Sequence, residues 1–493
     1  MTAPGMAQSI RAALALESSE QVEEALSLAW ALLDAAPDAP AIKALIARLL
    51  DDRPELITAD RESSVARLLV DPRVDPRFIG AAGWALIRRG KAFPRTGSAA
   101  DPEEMAGWLE GAGFARTLLE ETFVTDLAVE EALTALRRWL LLSGYWSHYP
   151  QAVNALAAQA TLNGGAWLVD AEETRHLTAE KETPIALAYA PQVIGDSRPL
   201  DFPDPITRAV AGQYEGWPYP QWSRVMVSRQ STLPAVIRKL DPDGPDSIPL
   251  NADILVAGCG TGREAALCAR QFPDARIMAI DLSEASLRYA ADRCTKAGLD
   301  SIDFRLLDLH QASILDRRFD AIFCSGVLHH LPDPESGWDA LVGVLRPGGA
   351  MRVMVYSKVA RLRIRAAQTL IADLAEQPVD GDLLRAVRRR LIETAPHLVA
   401  GSIDFYTLAG VHDLLLHRQE VAFDVPGIAD TIRRLGLKLV AFSLPNRAQA
   451  ARYRARNPSD PLFRDVAAWA SLERENPFLF SRMYDFWCRK PLC

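Results

Sequence analysis

The sequence predicts an α/β fold: a doubly wound, mostly parallel sheet with helices on both faces, preceded by an all-helical region. Three observations carry the prediction. Residues 254–281 read strand, glycine turn, helix, strand, and end on a carboxylate. Apolar runs and helix-forming runs then alternate as far as Tyr356. Residues 1–195 instead carry their apolar positions only at helical spacing.

The run Ile254-Leu255-Val256-Ala257 holds no charge, as a strand covered on both faces should. Gly258-x-Gly260-x-Gly262 follows, then good helix formers from Glu264 to Arg270. A turn without side chains lets backbone N–H groups and a helix N-terminus approach a ligand closely. A second apolar run ends on Asp281, 19 positions after Gly262, about where a carboxylate meets the two hydroxyls of a ribose. A dinucleotide-binding turn would read G-x-G-x-x-G, but Arg263 and Ala265 continue without a further glycine. No Gly-Lys-Ser/Thr follows, which excludes a phosphate-binding P-loop. The pattern resembles motif I of class I S-adenosylmethionine (SAM) dependent methyltransferases. The resemblance implies that Gly258, Cys259, Gly260 and Gly262 face the methionine part of SAM, while Asp281 and Leu282 take the ribose.

Later motifs fall in register. Ser283 is a candidate N-cap for a helix running to about Ala297. Residues 304–307 read as a third strand that ends at Asp308-Leu309. In the family an acid there accepts from the adenine amino group and the next residue packs on the ring. Residues 319–334 resemble the fourth strand and following loop of these enzymes, with Val327-Leu328-His329-His330-Leu331 inside. By analogy Ser325 and Gly326 lie beside the sulfonium. His329 or His330 is a candidate general base, a structural loop histidine being the other reading. Adjacent histidines without acids or cysteines at ligand spacing argue against zinc, so no metal is expected. Arg346-Pro347-Gly348-Gly349, a helix stop and turn before an apolar run at 350–356, is another family hallmark. Together these imply a seven-stranded Rossmann-like methyltransferase sheet with one antiparallel strand.

Before this core, the spacing predicts helices at 64–70, 76–89, 103–121 and 127–142, the last capped by Asp126. The junction Ala36-Pro37-Asp38-Ala39-Pro40 between two earlier helices resembles a tetratricopeptide (TPR) repeat. The domain reading is 1–195 helical and TPR-like, and 196–249 a proline-rich linker with an aromatic lid. Within it, Gln213-Tyr214-Glu215-Gly216-Trp217-Pro218-Tyr219-Pro220-Gln221-Trp222 resembles a segment that precedes the SAM domain in bacterial methyltransferases with TPR-like N-terminal regions. Tyr214 and Tyr219 are candidate catalytic residues, and Trp217 and Trp222 candidate substrate contacts. A rigid brace is the alternative.

After the core at 250–360, residues 361–425 read as a helical insertion over the carboxyl ends of the strands, and 426–493 as final strands completing the sheet. The stretches around Asp404-Phe405-Tyr406 and Asp413 to Glu420 resemble the same bacterial group. Tyr406 and His417 are candidate acceptor contacts, with His417 and Glu420 one helical turn apart. The basic runs Arg361 to Arg365 and Arg388-Arg389-Arg390 read as solvated helix faces.

Composition narrows the class. The 493 residues are 49% hydrophobic and carry a net charge of −8 with no basic block, which argues against nucleic acid. Six cysteines without a C-x-x-C pattern fit a reducing cytosol. No apolar run approaches the length of a membrane span, and the N-terminus lacks a basic-then-apolar signal. The expectation is a cytoplasmic enzyme that moves a methyl group from SAM to a nitrogen or oxygen, less favourably a carbon, of a small molecule or protein, leaving S-adenosylhomocysteine. The N-terminal helices would bind a protein partner, self-associate or cap the core. The alternative is a SAM-binding interaction module without transferase activity.

Overall fold

The computed structural model describes residues 3–19, 21–90, 101–179, 183–189, 204–227, 229–444, 447–477, 479–480 and 483–492. Residues 196–203 of the expected linker and lid segment, and Phe478, lie outside them. Seven strands form one sheet: β1 (Asp253–Ala257), β2 (Arg276–Asp281), β3 (Asp303–Leu306), β4 (Phe319–Ser325), β5 (Leu345–Tyr356), β6 (Lys438–Ser443) and β7 (Met483–Arg489). Their order across the sheet is β3-β2-β1-β4-β5-β7-β6. The pairs β2–β3, β1–β2, β1–β4 and β4–β5 are parallel. β7 runs antiparallel to both its neighbours. Every residue of β1 is buried, because separate apolar cores cover the two faces of the sheet.

The all-helical N-terminal region is present among the described residues, with its own core running from Ala13 to Ile185. Asp126 caps its helix by accepting from Ala128 and Val129 N–H. Two expected single helices are interrupted. The 103–121 run is Pro102–Gly111 followed by Gly113–Glu121, since two glycines flanking Ala112 favour a break. The 76–89 run begins as the 3₁₀ turn Pro76–Phe78 and becomes the helix Gly80–Arg89. The 196–249 segment, expected as linker and lid, contains the helices Pro205–Gly216 and Leu233–Leu240, and Tyr214 sits on the first.

The 361–425 insertion is helical, as expected, and packs around its own apolar cluster. Its helix Gly381–Thr394 is fastened to the N-terminal region. Arg388 donates from Nη1 and Nη2 to the two oxygens of Glu130 at 2.8 and 2.9 Å. It also donates to the Ala166 and Phe405 carbonyls. Arg388 is therefore buried, not solvated, because these acceptors satisfy its N–H groups. Arg361 is likewise buried, donating to both Glu420 oxygens and to the Leu414 carbonyl. His417 and Glu420 lie beyond the end of the helix Leu408–Leu415, so the expected one-turn spacing does not apply.

Candidate active site

A cavity of about 390 Å³ opens at the carboxyl ends of β1 to β5. Gly258, Cys259, Gly260, Asp281, Leu282, Asp308, Leu309, Ser325 and Gly326 all line it. The glycine turn is built for close approach. Gly258, Gly260 and Gly262 have φ of 65°, 51° and 80°. A Cβ on Gly258 would meet Val327 Cγ2 at 2.4 Å, and one on Gly260 the Tyr219 carbonyl at 2.9 Å. Gly262 does not line the cavity. It caps the helix Arg263–Gln271, and a Cβ there would meet Ala290 Cβ at 2.6 Å. Gly262→Val is expected to destabilise the fold by roughly 1–3 kcal/mol, read as a lower urea midpoint.

Asp281 is fixed by the backbone. Its Oδ2 accepts from Gly260 N–H at 2.7 Å and its Oδ1 from Ser283 N–H at 2.9 Å. Burial holds its pKa above the ordinary carboxylate value, against those hydrogen bonds. Asp308 Oδ1 accepts from His310 N–H at 2.9 Å and lies 2.9 Å from His310 Nδ1. Burial alone would raise Asp308, but the bonds from His310 outweigh it and hold the carboxylate low. Ser325 Oγ is buried without a hydrogen-bond partner. A narrow cradle, two carboxylates with lone pairs to spare and this hydroxyl together suit a nucleoside with a polar tail.

Beyond β4 the wall changes character. Tyr214 Oη donates to Asp413 Oδ1 at 2.7 Å, and Tyr219 Oη to Asp404 Oδ1 at 2.6 Å. Ser402 Oγ donates to the other Asp404 oxygen at 3.1 Å. Tyr356 Oη lies 3.5 Å from Asp413 Oδ2. All of these residues line the cavity. Burial pushes Asp413 up to about 7, partly offset by Tyr214 and reinforced by Asp404. Burial, then the facing acids, keeps the Tyr214 and Tyr219 hydroxyls protonated.

The remaining candidates fall behind this wall. His329 does not line the cavity. It stacks on Tyr356 with ring centroids 3.8 Å apart, and its Nδ1 accepts from Tyr356 N–H. His330 lines the cavity instead. His330 Nδ1 donates to the Gln419 carbonyl, and the ring stacks on His417 at 3.4 Å. Burial holds all three histidines below the ordinary value. Trp222 braces the glycine turn, donating from Nε1 to the Thr261 carbonyl at 2.8 Å, while Thr261 Oγ1 donates to the Pro220 carbonyl. Trp217 packs on the insertion, edge-on to His412. Tyr406 is buried and donates to the Ala400 carbonyl. Trp217, Trp222 and Tyr406 therefore brace the site without lining it, and His417 stands behind it, against Tyr214 Oη at 3.2 Å and the His330 ring.

His330, Asp413 and His417 lie within metal-binding reach of one another, because the fold brings an acid and a third histidine from the insertion to the paired histidines. The hydrogen bonds disfavour a metal there. His417 Nδ1 accepts from Gln419 N–H at 3.2 Å, so the neutral ring carries its proton on Nε2, toward Tyr214. The sequence alone gives Asp404 and Asp413 no role, since Tyr219 and Tyr214 lie 185 and 199 positions away along the chain. Asp413 and His417 at a four-residue spacing were the available signal.

The sheet order, glycine turn and strand-end acids define a class I SAM-dependent methyltransferase domain. Residues 254–349 match the family described as "Methyltransferase domain". A trans-aconitate 2-methyltransferase of Methylobacterium radiotolerans is 30% identical over 199 residues, 39% of this chain and 71% of that protein. The chain belongs to this methyltransferase family. An uncharacterized protein of Synechococcus sp. is 31% identical over 51% of this chain, and this chain spans 63% of its length. The solved structure of PKMT2 from Rickettsia typhi is 15% identical, with TM-score 0.41 over 52% of this chain and 51% of that one. Among the described residues no helix is long and apolar enough to cross a membrane.

Proposed function

We propose that the chain transfers a methyl group from SAM to an amine nitrogen. The observation that carries the reading is the pair of Tyr–Asp couples, Tyr214–Asp413 and Tyr219–Asp404, at the end of the cavity over β4 and β5. Buried carboxylates attract an ammonium and repel an anionic acceptor. The Tyr214 and Tyr219 rings, which line the cavity, add aromatic surface on which a cation rests well. The adenosine part would lie on Asp281 and Asp308, with the glycine turn beneath the tail. When bound, SAM supplies an electrophilic methyl on sulfur. The chain's part is to align the acceptor, an effect worth roughly 7–11 kcal/mol in well-oriented reactions, and to take up its proton.

Asp413 is the proton acceptor in this reading. Its pKa of about 7 means that it is protonated and idle at lower pH and ionised above. Methyl transfer is expected to rise as pH passes through about 7 and then level off. Asp413→Asn should lower kcat about 10²- to 10⁴-fold and remove that rise. Single-turnover pH profiles decide it, and an unchanged rise in the variant would remove Asp413 from the role. The relatives favour a second reading, because three of them are named for carboxylate acceptors, two for trans-aconitate and one for malonyl-[acyl-carrier protein]. Labelling size-fractionated lysate with radioactive SAM separates the two. Methyl esters release their label in mild alkali, whereas N-methyl groups keep it. Acceptor size also bears on the N-terminal helices: label in the protein fraction would favour a protein acceptor, and label in the small-molecule fraction would leave those helices as scaffold.

A further inference from the structure

We infer that Arg263 binds the carboxylate of the cofactor's methionine part, and that Asp75 of the helical domain positions it. The inference rests on the SAM reading above. Across the sheet the strand ends run from Asp308 (after β3) to Asp281 (β2), the glycine turn (β1) and Ser325 (β4). A nucleoside with adenine at Asp308 and ribose at Asp281 therefore continues over the glycine turn. Its amino-acid tail carries a carboxylate, which needs a cation there.

Arg263 is the cation at that place. It follows Gly262, opens the helix Arg263–Gln271 and lines the cavity. Its buried Nε has no hydrogen-bond partner. Its Nη2 lies 3.3 Å from Asp75 Oδ2, a contact that crosses from the catalytic half to the N-terminal helices. Asp75 is itself held: it is buried and accepts from Arg77 Nε, Nη2 and backbone N–H at 3.0, 2.6 and 3.1 Å. Glu264, the next acid along, is engaged by Arg352, which in turn grips Asp485. A second tie keeps the halves in register, with Arg224 Nη2 donating to Glu121 at 2.5 Å and to the Leu69 carbonyl at 2.6 Å. The helical domain thus completes the cofactor site instead of standing apart from it, and Asp75 is a positioning residue.

Two ligands separate positioning from general structural support. S-adenosylhomocysteine carries the amino-acid tail, and 5′-methylthioadenosine lacks it. Calorimetry on the full-length protein should find that Asp75→Asn and Arg263→Gln each weaken S-adenosylhomocysteine by at least about tenfold and leave methylthioadenosine unchanged. Retained methylthioadenosine binding also reports an intact site. Equal losses for both ligands, or no loss for either, would overturn the proposal, and Arg263→Gln decides if Asp75→Asn does not fold. A wild-type protein that binds neither ligand would instead sink the SAM reading, and this inference with it.

Discussion

Asp281→Ala is expected to weaken SAM binding by about a hundredfold or more, measured by calorimetry. Each carboxylate oxygen accepts one backbone N–H, from Gly260 or Ser283, and keeps a lone pair for a ribose hydroxyl. Removing it deletes two charge-assisted bonds to the ligand and leaves two N–H groups in the turn without their acceptor. Asp281→Asn, which keeps one accepting oxygen, should lose less. Unchanged affinity in the alanine variant would show that the ribose sits elsewhere.

Arg388→Ala is expected to destabilise the protein by about 3–5 kcal/mol, read from urea unfolding. The cost arises because Glu130 stays buried with no counter-charge, while the Ala166 and Phe405 carbonyls lose a donor. The double variant Arg388→Met, Glu130→Leu should recover much of the loss, since an apolar pair of similar volume needs no compensation. A double variant as unstable as the single one would mean that the carbonyl bonds, not the ion pair, hold the joint.

The parallel sheet and the cavity at the carboxyl ends of its strands are legible because their signals are local. Gly258 to Gly262 follow β1, Asp281 ends β2 and Asp308 lies two residues past β3, so chain order alone places them on one edge of the sheet. The end of the cavity over β4 and β5 is not legible, because it is assembled from distant segments. Tyr214 meets Asp413, and Tyr219 meets Asp404, only after the insertion folds back over β4 and β5. His329 and His330 show how fine the difference can be. One peptide step turns the first ring onto Tyr356 and the second toward the cavity. Arg388 departs from its expected solvation for a related reason: three adjacent arginines read as solvated until a carboxylate from the N-terminal region meets one of them.

The shared arginine has a consequence for how such chains can recombine. Glu130 and Ala166 belong to the N-terminal region and Phe405 to the insertion, and the Arg388 guanidinium, itself on the insertion, joins all three. A chimaera that takes its helices from one parent and its insertion from another would seat a buried cation opposite a foreign surface. Unless the donor parent offers an acid at the same place, that hybrid inherits an uncompensated charge. The two segments, far apart in the chain, must therefore be inherited together, and drift at either is constrained by the other.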